Sequence, residues 1–513
     1  MTMRFDLLIV GGGINGVGIA RDAAGRGVKT LLVEQDDLAA HTSSASTKLI
    51  HGGLRYLEYL EFRLVRESLI EREKLLRIAP HIIHPLRFVM PMGQSGRPGW
   101  MVRLGLFLYD HLGGRGILPG SAAVRLAGDG LAGDGLAGDG LGAGLRPGVT
   151  RGFAYSDCRV DDSRLTVLNA MDAVARGADI RTRTRFIGAK RDGDAWTVSI
   201  EDGPSGRRSE VRAANIANAA GPWVGGVLGA IEGARAERPP RLVKGSHIVV
   251  PRLFAGDHAY ILQNPDGRIM FAIPYERDFT LIGTTDAAVS GDPAAARIEA
   301  EEVAYLCEGV NRWFAKGIGP ADVIWRYSGV RPLYDDGSAS ASAVTRDYVL
   351  KLGMAEGPQL LSVFGGKLTT YRRLAEHALE KLAPFLPMRR GAWTDGEALP
   401  GGDLPDGDFA AFVAEARRRW PFLPPETAER MAGAYGTRMA MILGDARSLD
   451  DLGEAFGGGL SESELAYLID HEFARTAEDI AWRRSKLGLR MTEGDIARIA
   501  GRLAQGKMEA ARG

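Results

Sequence analysis

Apolar positions at the amino end of the chain follow the pattern of one β-α-β unit. Apolar residues over 5–10 predict a strand, a glycine-rich turn occupies 11–16, and an alanine-rich stretch predicts a helix to about Arg26. Residues 29–34 predict a second strand. The unit is typical of an α/β domain with parallel strands.

Further along, the spacing of apolar residues predicts a longer amphipathic helix over 62–79, which stops before Pro80. Its apolar residues include Phe62, Val65, Leu69, Leu76 and Ile78. Strands and turns are predicted over 152–224 and 241–286, and a strand-turn-helix over 359–382.

After residue 387 the pattern changes to amphipathic helices. Proline and glycine cluster up to Gly402, and helical periodicity continues to the end of the chain. Ser461 with Glu464, and Thr492 with Asp495, have the spacing of helix caps. We therefore predict a separate helical domain over 388–513.

The pentapeptide Ala-Gly-Asp-Gly-Leu occurs three times in succession over 127–141. An array of calcium-binding turns is one interpretation, since aspartates repeat among glycines. Three short copies supply few ligands and little apolar surface, which favours an expanded surface loop.

Composition indicates a large globular protein. The chain has 513 residues, of which 45% are hydrophobic and 25% are charged, enough for two or three domains. The 64 basic and 64 acidic residues balance, so we expect no nucleic-acid partner. Glycine is unusually frequent, at 68 residues, which suggests places where backbone approaches a ligand.

The two cysteines, Cys158 and Cys307, lie far apart and belong to no cysteine-histidine cluster, so we expect reduced thiols and no metal site. The amino end lacks the pattern of a secretory signal. No apolar run approaches the ~18 residues that span a bilayer. Any association with a membrane would be at its surface.

The turn at 11–16 fits the dinucleotide-binding pattern Gly-x-Gly-x-x-Gly. Gly11 would make the tight turn, Gly13 would admit a pyrophosphate to backbone N–H groups, and Gly16 would let the helix pack closely. Glu34 ends the second strand, where a carboxylate can accept hydrogen bonds from ribose hydroxyls and would repel a 2′-phosphate. The motif alone leaves NAD and FAD open.

Longer motifs narrow the choice between NAD and FAD. Residues 42–57 read TSSASTKLIHGGLRYL, and further motifs occupy 6–34, 155–157, 220–223, 244–247, 283–286, 327–332, 364–372 and 482–486. In these segments the chain resembles the FAD-dependent (aerobic, respiratory) glycerol-3-phosphate dehydrogenase family. The resemblance extends over nearly the whole chain, with the pentapeptide tract as the main departure.

The resemblance implies an α/β fold with a Rossmann-like FAD-binding domain, an inserted α+β substrate domain of the glycine/D-amino-acid oxidase type, and a C-terminal all-α domain. The expected boundaries are 1–75, 150–225 and 325–387 for the FAD-binding domain, 76–149 and 226–324 for the substrate and membrane-facing domain with its glycine-rich loop 127–144, and 388–513 for the helical domain.

FAD is the cofactor that the resemblance implies. The turn at Gly365 and Gly366 would point a helix N-terminus at the flavin's pyrimidine ring and favour its reduced, anionic form, although a simple structural turn is an alternative. The expected cofactor-binding residues are Gly11, Gly13, Ile14, Asn15, Gly16, Glu34, Thr42, Ser43, Ser44, Ser46, Lys48, Leu49, Gly221, Gly365, Gly366, Leu368 and Thr369.

A polyol phosphate needs cations for the phosphate, a base for the hydroxyl proton and a flavin face for the hydride. The expected site residues are His51, Arg55, Tyr56, Thr284, Arg331 and Lys367. We expect Arg55, Tyr56 and Thr284 to bind phosphate, since arginine can bind two oxygens at once. The catalytic residues would be His51 as the base, with Arg331 and Lys367 on the reacting oxygens. Which cation contacts phosphate stays open.

Reduced flavin needs an external acceptor, because the sequence has no second nucleotide loop and no iron-sulfur or haem motif. The short apolar segment 100–112, with Arg97 and Arg103 beside it, suits either a helix in a lipid headgroup layer or a buried helix. The resemblance implies a cytoplasmic protein that lies on the inner face of the cytoplasmic membrane and reduces ubiquinone or menaquinone. We also expect a homodimer, although the apolar stripes of the carboxyl-terminal helices would either cover the flavin domain or make a dimer contact.

Two alternatives stay open at this stage. One is a related flavin oxidase that passes electrons to oxygen and acts on glycerol 3-phosphate or on an amine. The other is a flavin-binding RNA-modifying or scaffold protein, which balanced charge disfavours.

Overall fold

The structure is a computed structural model that describes residues 3–93, 97–114, 116–126, 140–234, 240–334, 347–353 and 357–510, and side chains as far as 505. The strands are β1 Arg4–Val10, β2 Thr30–Val33, β3 Leu49–Ile50, β4 Ile83–Pro91, β5 Ala122–Arg125, β6 Arg151–Val160, β7 Asp179–Arg181, β8 Thr184–Asp192, β9 Ala195–Asp202, β10 Arg208–Asn218, β11 Arg241–Pro251, β12 Ala259–Gln263, β13 Ile269–Tyr275, β14 Phe279–Gly283, β15 Ala287–Ala288, β16 Trp325–Leu333, β17 Val349–Leu352 and β18 Leu360–Phe364.

The helices are α1 Ile14–Gly25, α2 Phe62–Ile78, α3 Gly99–Leu112, α4 Asp162–Ala175, α5 Val224–Gly229, α6 Ala300–Asn311, α7 Tyr371–Leu382, α8 Phe409–Arg419, α9 Pro425–Tyr435, α10 Met439–Leu443, α11 Glu462–His471 and α12 Glu493–Ala510. The amino-terminal β-α-β unit, the helix predicted over 62–79 and the strand at Leu360–Phe364 are thereby confirmed.

The first sheet is the nucleotide-binding type of sheet that the amino-terminal pattern predicts. Its strand order is β17-β18-β10-β1-β2-β7, and β18, β10, β1, β2 and β7 run parallel. Helix α1 lies between β1 and β2 in the sequence, and in the fold it contacts α4 and α7. All four residues of β2 are buried, as expected of a strand covered on both faces.

The second sheet is larger and mixed. Its strand order is β15-β11-β14-β13-β12-β4-β6-β3, with β16 beside β11 and β5 beside β6. The register of β11 and β16 pairs Val243 with Arg331 and Gly245 with Gly329. The register of β11 and β14 pairs His247 with Gly283. These pairings bring the segments at 244–247, 283–286 and 327–332 side by side.

At three segments, the sheet that a strand joins is not the one expected from its predicted domain. Strands β3, β6 and β16 fall within ranges that the sequence assigns to the FAD-binding domain, yet all three belong to the second sheet. The reason is pairing: β6 runs antiparallel to β4 over nine residue pairs, from Ile83 with Val160 to Pro91 with Gly152. The chain therefore crosses between the sheets at these strands.

The carboxyl-terminal region is helical, as predicted, and it shares a hydrophobic core with the helices of the first sheet. Two buried ion pairs reinforce this contact, Arg164 with Glu472 and Arg484 with Asp37. Ser461 accepts a hydrogen bond from the N–H of Glu464, and Thr492 accepts one from the N–H of Asp495. Both predicted caps are confirmed.

The remaining expectations have mixed outcomes. Cys158 and Cys307 are buried free thiols. Within the part of the chain that the structure describes, no helix is long and apolar enough to cross a membrane. Residues 127–139, most of the pentapeptide tract, lie outside the described residues. The fold class, α/β with a mixed second sheet and a helical carboxyl-terminal region, is confirmed.

Candidate active site

One cavity is lined by residues from both sheets and from the turns that follow β1 and β18. Most of the residues expected at the site share its wall: Gly11, Gly13, Ile14, Asn15, Glu34, Thr42, Ser43, Ser46, Leu49, His51, Tyr56, Gly221, Thr284, Arg331, Gly365, Gly366, Lys367, Leu368 and Thr369. Segments that lie hundreds of residues apart in the sequence therefore meet at one site.

Four expected residues do not line this cavity. Gly16 lies behind the turn, where a Cβ atom would come 1.9 Å from the carbonyl oxygen of Gly11. Ser44 donates its hydroxyl to the carbonyl oxygen of His41. Lys48 is buried and pairs with Asp162 at 2.8 Å. Arg55 precedes Tyr56 in a short 3-10 helix, and its buried Nε has no hydrogen-bond partner among the described residues.

At one end of the cavity, the glycine turn and Glu34 form a nucleotide cradle. The carboxylate of Glu34 accepts hydrogen bonds from the N–H groups of Gly12, at 2.6 Å, and Asp36, at 2.8 Å. Burial raises the pKa of Glu34, and these two N–H groups oppose that effect. The hydroxyl of Ser43 accepts from the N–H of Ile14, at the first turn of α1. The arrangement fits an adenosine diphosphate group.

The turn after β18 lies beside this cradle. Gly365 and Gly366 have φ angles of +72° and +99°, which favour glycine. The side-chain amide of Asn15 donates to the carbonyl oxygen of Gly365 at 3.1 Å, so the turn is tied to the nucleotide loop. A 3-10 turn at Leu368–Thr370 then leads into α7. The two motifs predicted to contact FAD are therefore adjacent in space.

His51 lies where the second sheet meets this turn. Its backbone N–H donates to the Thr369 hydroxyl at 3.2 Å, and its carbonyl oxygen accepts from the same hydroxyl at 3.3 Å. Burial, with the nearby charges of Lys367 and Arg72, lowers the pKa of His51 from 6.5 to about 4. The imidazole is therefore neutral at physiological pH and can accept a proton.

Two cations complete this end of the cavity. The Lys367 ammonium lies 3.7 Å from the centre of the Tyr56 ring, a cation–π contact. Arg331 pairs with Asp286. A Cβ atom at Gly245 would come 2.7 Å from the Thr284 hydroxyl and 3.0 Å from Nη2 of Arg331, so only glycine leaves these two groups undisturbed.

Sequence reasoning assigned no role to a second histidine in the wall, His247. It is buried in β11, its Nε2 lies 3.0 Å from the Thr47 hydroxyl, and its ring stacks on Tyr327. Burial lowers its pKa to about 3, helped by the charges of Lys48 and Arg331. Its place in the motif at 244–247 was the signal that could have identified it.

The nucleotide end also contains residues to which sequence reasoning gave no role. His41 and Trp223 line the cavity with their rings 4.6 Å apart, and Arg185 and Phe186 reach it from β8. Candidate ligand atoms of Glu34, Asp36 and His41 lie within 4.8 Å of one another. Both oxygens of Glu34 already accept backbone N–H groups, so this set fits the nucleotide cradle better than a metal site.

The arrangement brings a neutral imidazole, two cations and hydrogen-bonding hydroxyls to one end of a nucleotide-binding cavity. A cavity of this kind can bind an anionic substrate and accept a proton from one of its hydroxyl groups. A redox-active ring attached to a nucleotide held at the other end would have to reach this end to accept a hydride.

Comparisons with known proteins agree with this description. The family model "FAD dependent oxidoreductase" matches residues 6–372, and the model "C-terminal domain of alpha-glycerophosphate oxidase" matches 392–501. The chain is 49% identical to the aerobic glycerol-3-phosphate dehydrogenase of Escherichia coli, over 96% of both chains. It is 48% identical to the D-erythritol 1-phosphate dehydrogenase of Brucella abortus, again over 96% of both chains.

A solved structure gives the same result. The glycerol-3-phosphate dehydrogenase of Bacillus halodurans, solved with FAD, aligns with a TM-score of 0.72 and 27% identity, over 98% of this chain and 94% of that one. The cofactor is FAD, as predicted, and the nucleotide cradle fits its adenosine diphosphate half. The chain belongs to the FAD-dependent glycerol-3-phosphate dehydrogenase family of FAD-dependent oxidoreductases.

Proposed function

We propose that the protein oxidises sn-glycerol 3-phosphate to dihydroxyacetone phosphate. The observation that carries the proposal is the meeting of His51, Arg331 and Lys367 in one cavity, beside the turn at Gly365 and Gly366. The names of relatives about half identical to the chain support the same substrate class. FAD, when bound, supplies an acceptor for the hydride that leaves C2 of the substrate.

In this proposal His51 accepts the proton of the C2 hydroxyl. Its imidazole is neutral because burial and two neighbouring cations disfavour the charged form. The ammonium of Lys367 and the guanidinium of Arg331 would hold the reacting oxygen and stabilise negative charge as the proton leaves. Each group is held by a neighbour, Lys367 by the Tyr56 ring and Arg331 by Asp286.

Arg55, Tyr56 and Thr284 would bind the phosphate. Arg55 does not line the cavity but adjoins Tyr56, which does, and its buried Nε has no hydrogen-bond partner among the described residues; its side chain would have to turn toward the cavity to bind the phosphate. Thr284 follows β14 and lies close to Arg331 across Gly245. A phosphate dianion would thus meet charge from both the 51–56 segment and the second sheet.

Anaerobic bleaching of the flavin tests the substrate. Glycerol 3-phosphate should reduce the flavin of the purified holoenzyme, whereas glycerol at the same concentration should not, because it lacks the phosphate. The relative that acts on D-erythritol 1-phosphate makes this longer polyol phosphate the second candidate. Faster bleaching by D-erythritol 1-phosphate than by glycerol 3-phosphate would overturn the proposed substrate.

We further propose that the protein lies on the inner face of the cytoplasmic membrane, as a peripheral protein. Helix α3 is predicted from sequence either to lie in a lipid layer or to be buried, and in the structure it has one face of each kind. Val102, Leu106 and Tyr109 are buried. The exposed apolar side chains on α3 and on three nearby segments, the 3-10 turn before α2, the start of α2 and the loop after α3, are Tyr59, Leu60, Phe62, Trp100, Met101, Leu104, Phe107 and Ile117. Such a surface suits insertion among lipid headgroups.

Sedimentation with anionic lipid vesicles tests this surface. Wild-type holoenzyme should pellet with the vesicles, and the double substitution Leu104→Ser with Phe107→Ser should remain in the supernatant. Ile324→Ser removes an exposed apolar side chain outside this surface and serves as the control. Equal pelleting of all three proteins would contradict the proposed membrane surface.

A membrane quinone, ubiquinone or menaquinone, is the proposed electron acceptor. The match of residues 392–501 to a domain of alpha-glycerophosphate oxidase makes oxygen the competing acceptor. Reduced holoenzyme should be reoxidised by a short-chain quinone much faster than by air. One mole of peroxide formed per mole of substrate in air, with no faster turnover on quinone, would favour the oxidase.

We also propose that the protein is a homodimer, as expected from the sequence. Light scattering of the detergent-free holoenzyme should then give about twice the chain mass of 55.1 kDa.

A further inference from the structure

The two residues that follow β3, His51 and Gly52, are held from opposite sides. On the side of the flavin turn, the Thr369 hydroxyl bonds both the N–H and the carbonyl oxygen of His51. On the other side, the N–H of Gly52 donates to the hydroxyl of Tyr109, at 2.7 Å. The same N–H also lies 3.4 Å from Oδ1 of Asp157, so the backbone next to the proposed base is held by side chains from both directions, with the shorter contact made by Tyr109.

Tyr109 belongs to α3, the helix whose other face forms the proposed membrane surface. Its side chain is 3% exposed and its hydroxyl makes two kinds of hydrogen bond. The oxygen accepts from Gly52, and the proton is donated to the carboxylate of Asp157, with oxygens at 2.7 and 2.9 Å. Asp157 is in turn paired with Arg72 at 2.7 Å. The hydroxyl is thus held in one orientation by a buried ion pair.

Packing leaves little room for Gly52 to move. A Cβ atom at this position would lie 2.5 Å from a methyl group of Leu69 and 2.6 Å from the Tyr109 hydroxyl. Burial raises the pKa of Tyr109 well above its ordinary value, so the hydroxyl keeps its proton and remains a donor to Asp157. The Tyr109 hydroxyl therefore stays protonated at working pH and lies close to Gly52.

We propose that Tyr109 is a positioning residue of the active site, whose hydroxyl fixes the backbone at Gly52 and thereby the orientation of the His51 imidazole. Tyr109 touches neither substrate nor cofactor in this proposal. It acts through Gly52, and it lies on the buried face of α3, opposite the exposed face. The inference rests on the proposed role of His51 as the base.

Tyr109→Phe tests the proposal, because it removes one oxygen and leaves the ring in place. The holoenzyme should retain its FAD and its pelleting with vesicles. The limiting rate of anaerobic flavin reduction by glycerol 3-phosphate should fall by about tenfold, and the half-saturating substrate concentration should change by less than about twofold. A base out of position slows proton removal but leaves phosphate binding intact.

Tyr260→Phe is the matched control. Its hydroxyl is also buried and donates to two carbonyl oxygens, those of Leu141 and Ala143, each at 2.9 Å. This variant should lose similar stability and reduce its flavin at the wild-type rate. Equal rates in Tyr109→Phe and wild type, or equal losses in the two variants, would overturn the positioning role.

Amide hydrogen exchange at Gly52 gives a readout that does not depend on the substrate. Exchange in the peptide 49–57 should be about tenfold faster in Tyr109→Phe than in wild type, and unchanged in Tyr260→Phe. If no polyol phosphate bleaches the wild-type flavin, the proposed function is wrong, and the exchange rate still decides whether Tyr109 holds this backbone. Unchanged exchange would overturn the inference.

Discussion

The nucleotide end and the substrate end of the cavity differ in how they are built. The cradle at the nucleotide end uses neighbouring residues of one β-α-β unit, and its contacts are made largely by backbone, as in the N–H groups of Gly12 and Asp36 on Glu34. Side chains such as Trp223 and Arg185 only add to its surroundings. The substrate end uses side chains from the 51–56 segment, β14, β16 and the turn after β18. The cradle is local in sequence, whereas the substrate end exists only once both sheets have formed.

The difference predicts a separation of effects. Substitutions at the substrate end should change the rate of flavin reduction and leave FAD bound, because they touch no part of the nucleotide cradle. Substitutions in the glycine turn should change FAD content, because backbone position decides whether the pyrophosphate fits.

His51→Asn should have the largest effect. Loss of a general base lowers rates by about 10² to 10⁴-fold, and the protein should remain yellow. Stopped-flow reduction by glycerol 3-phosphate measures the rate. His258→Asn is the control, because His258 is also buried with a pKa of about 4 but lies outside the cavity. A similar loss in both variants would show that the effect comes from burial.

Gly16→Ala should come next, and it should act on FAD content. A Cβ atom at residue 16 would lie 1.9 Å from the Gly11 carbonyl oxygen, so the turn must shift, at a cost of roughly 1–3 kcal/mol. Purified protein should contain little flavin by its absorbance spectrum. Gly226→Ala is the control, since a Cβ atom there meets nothing within 4 Å. Full flavin content with slow reduction would break the separation.

Arg331→Lys should reduce kcat/KM by about tenfold, because lysine cannot bind two oxygens at once. FAD content should not change. Arg326→Lys serves as the control, since Arg326 lies on the same strand but not in this cavity. Steady-state kinetics with a quinone analogue gives the ratio. Loss of flavin from Arg331→Lys would show that the two ends are not independent.

The smallest expected effect concerns the His51 ring, which should not titrate near pH 6.5. With a pKa of about 4, the His51 ring should stay neutral from pH 8 down to about pH 5 and become charged only below that. The stability gained by burying the neutral ring should be lost as pH falls from about 6.5 towards 4, because the unfolded chain binds the proton first. NMR of the ring, assigned by its absence in His51→Asn, measures this. Titration near pH 6.5 would contradict the buried environment.

Sequence patterns located the elements near the amino end well, because hydrophobic periodicity and glycine turns are local signals. Strands β1 and β2 and helix α1 lie where the pattern predicts them. The family motifs also named most of the cavity wall.

Contacts between segments that lie far apart in the sequence were harder to predict from sequence patterns. Lys48 was expected to bind the cofactor, but its ammonium pairs with Asp162 and its exposed fraction is 4%. His247 received no role, although it lines the cavity. Both outcomes depend on which partner the fold places opposite each side chain, and local periodicity contains no such information.

The sequence by itself determined the β-α-β unit, the FAD signature, the helical carboxyl-terminal region and the family, because each depends on short runs of neighbouring residues. The tertiary structure decided which cations face the cavity, that His51 is neutral, and that α3 has one apolar face exposed and one buried. Burial and electrostatic interactions act between residues that only folding brings together, so they are properties of the folded chain.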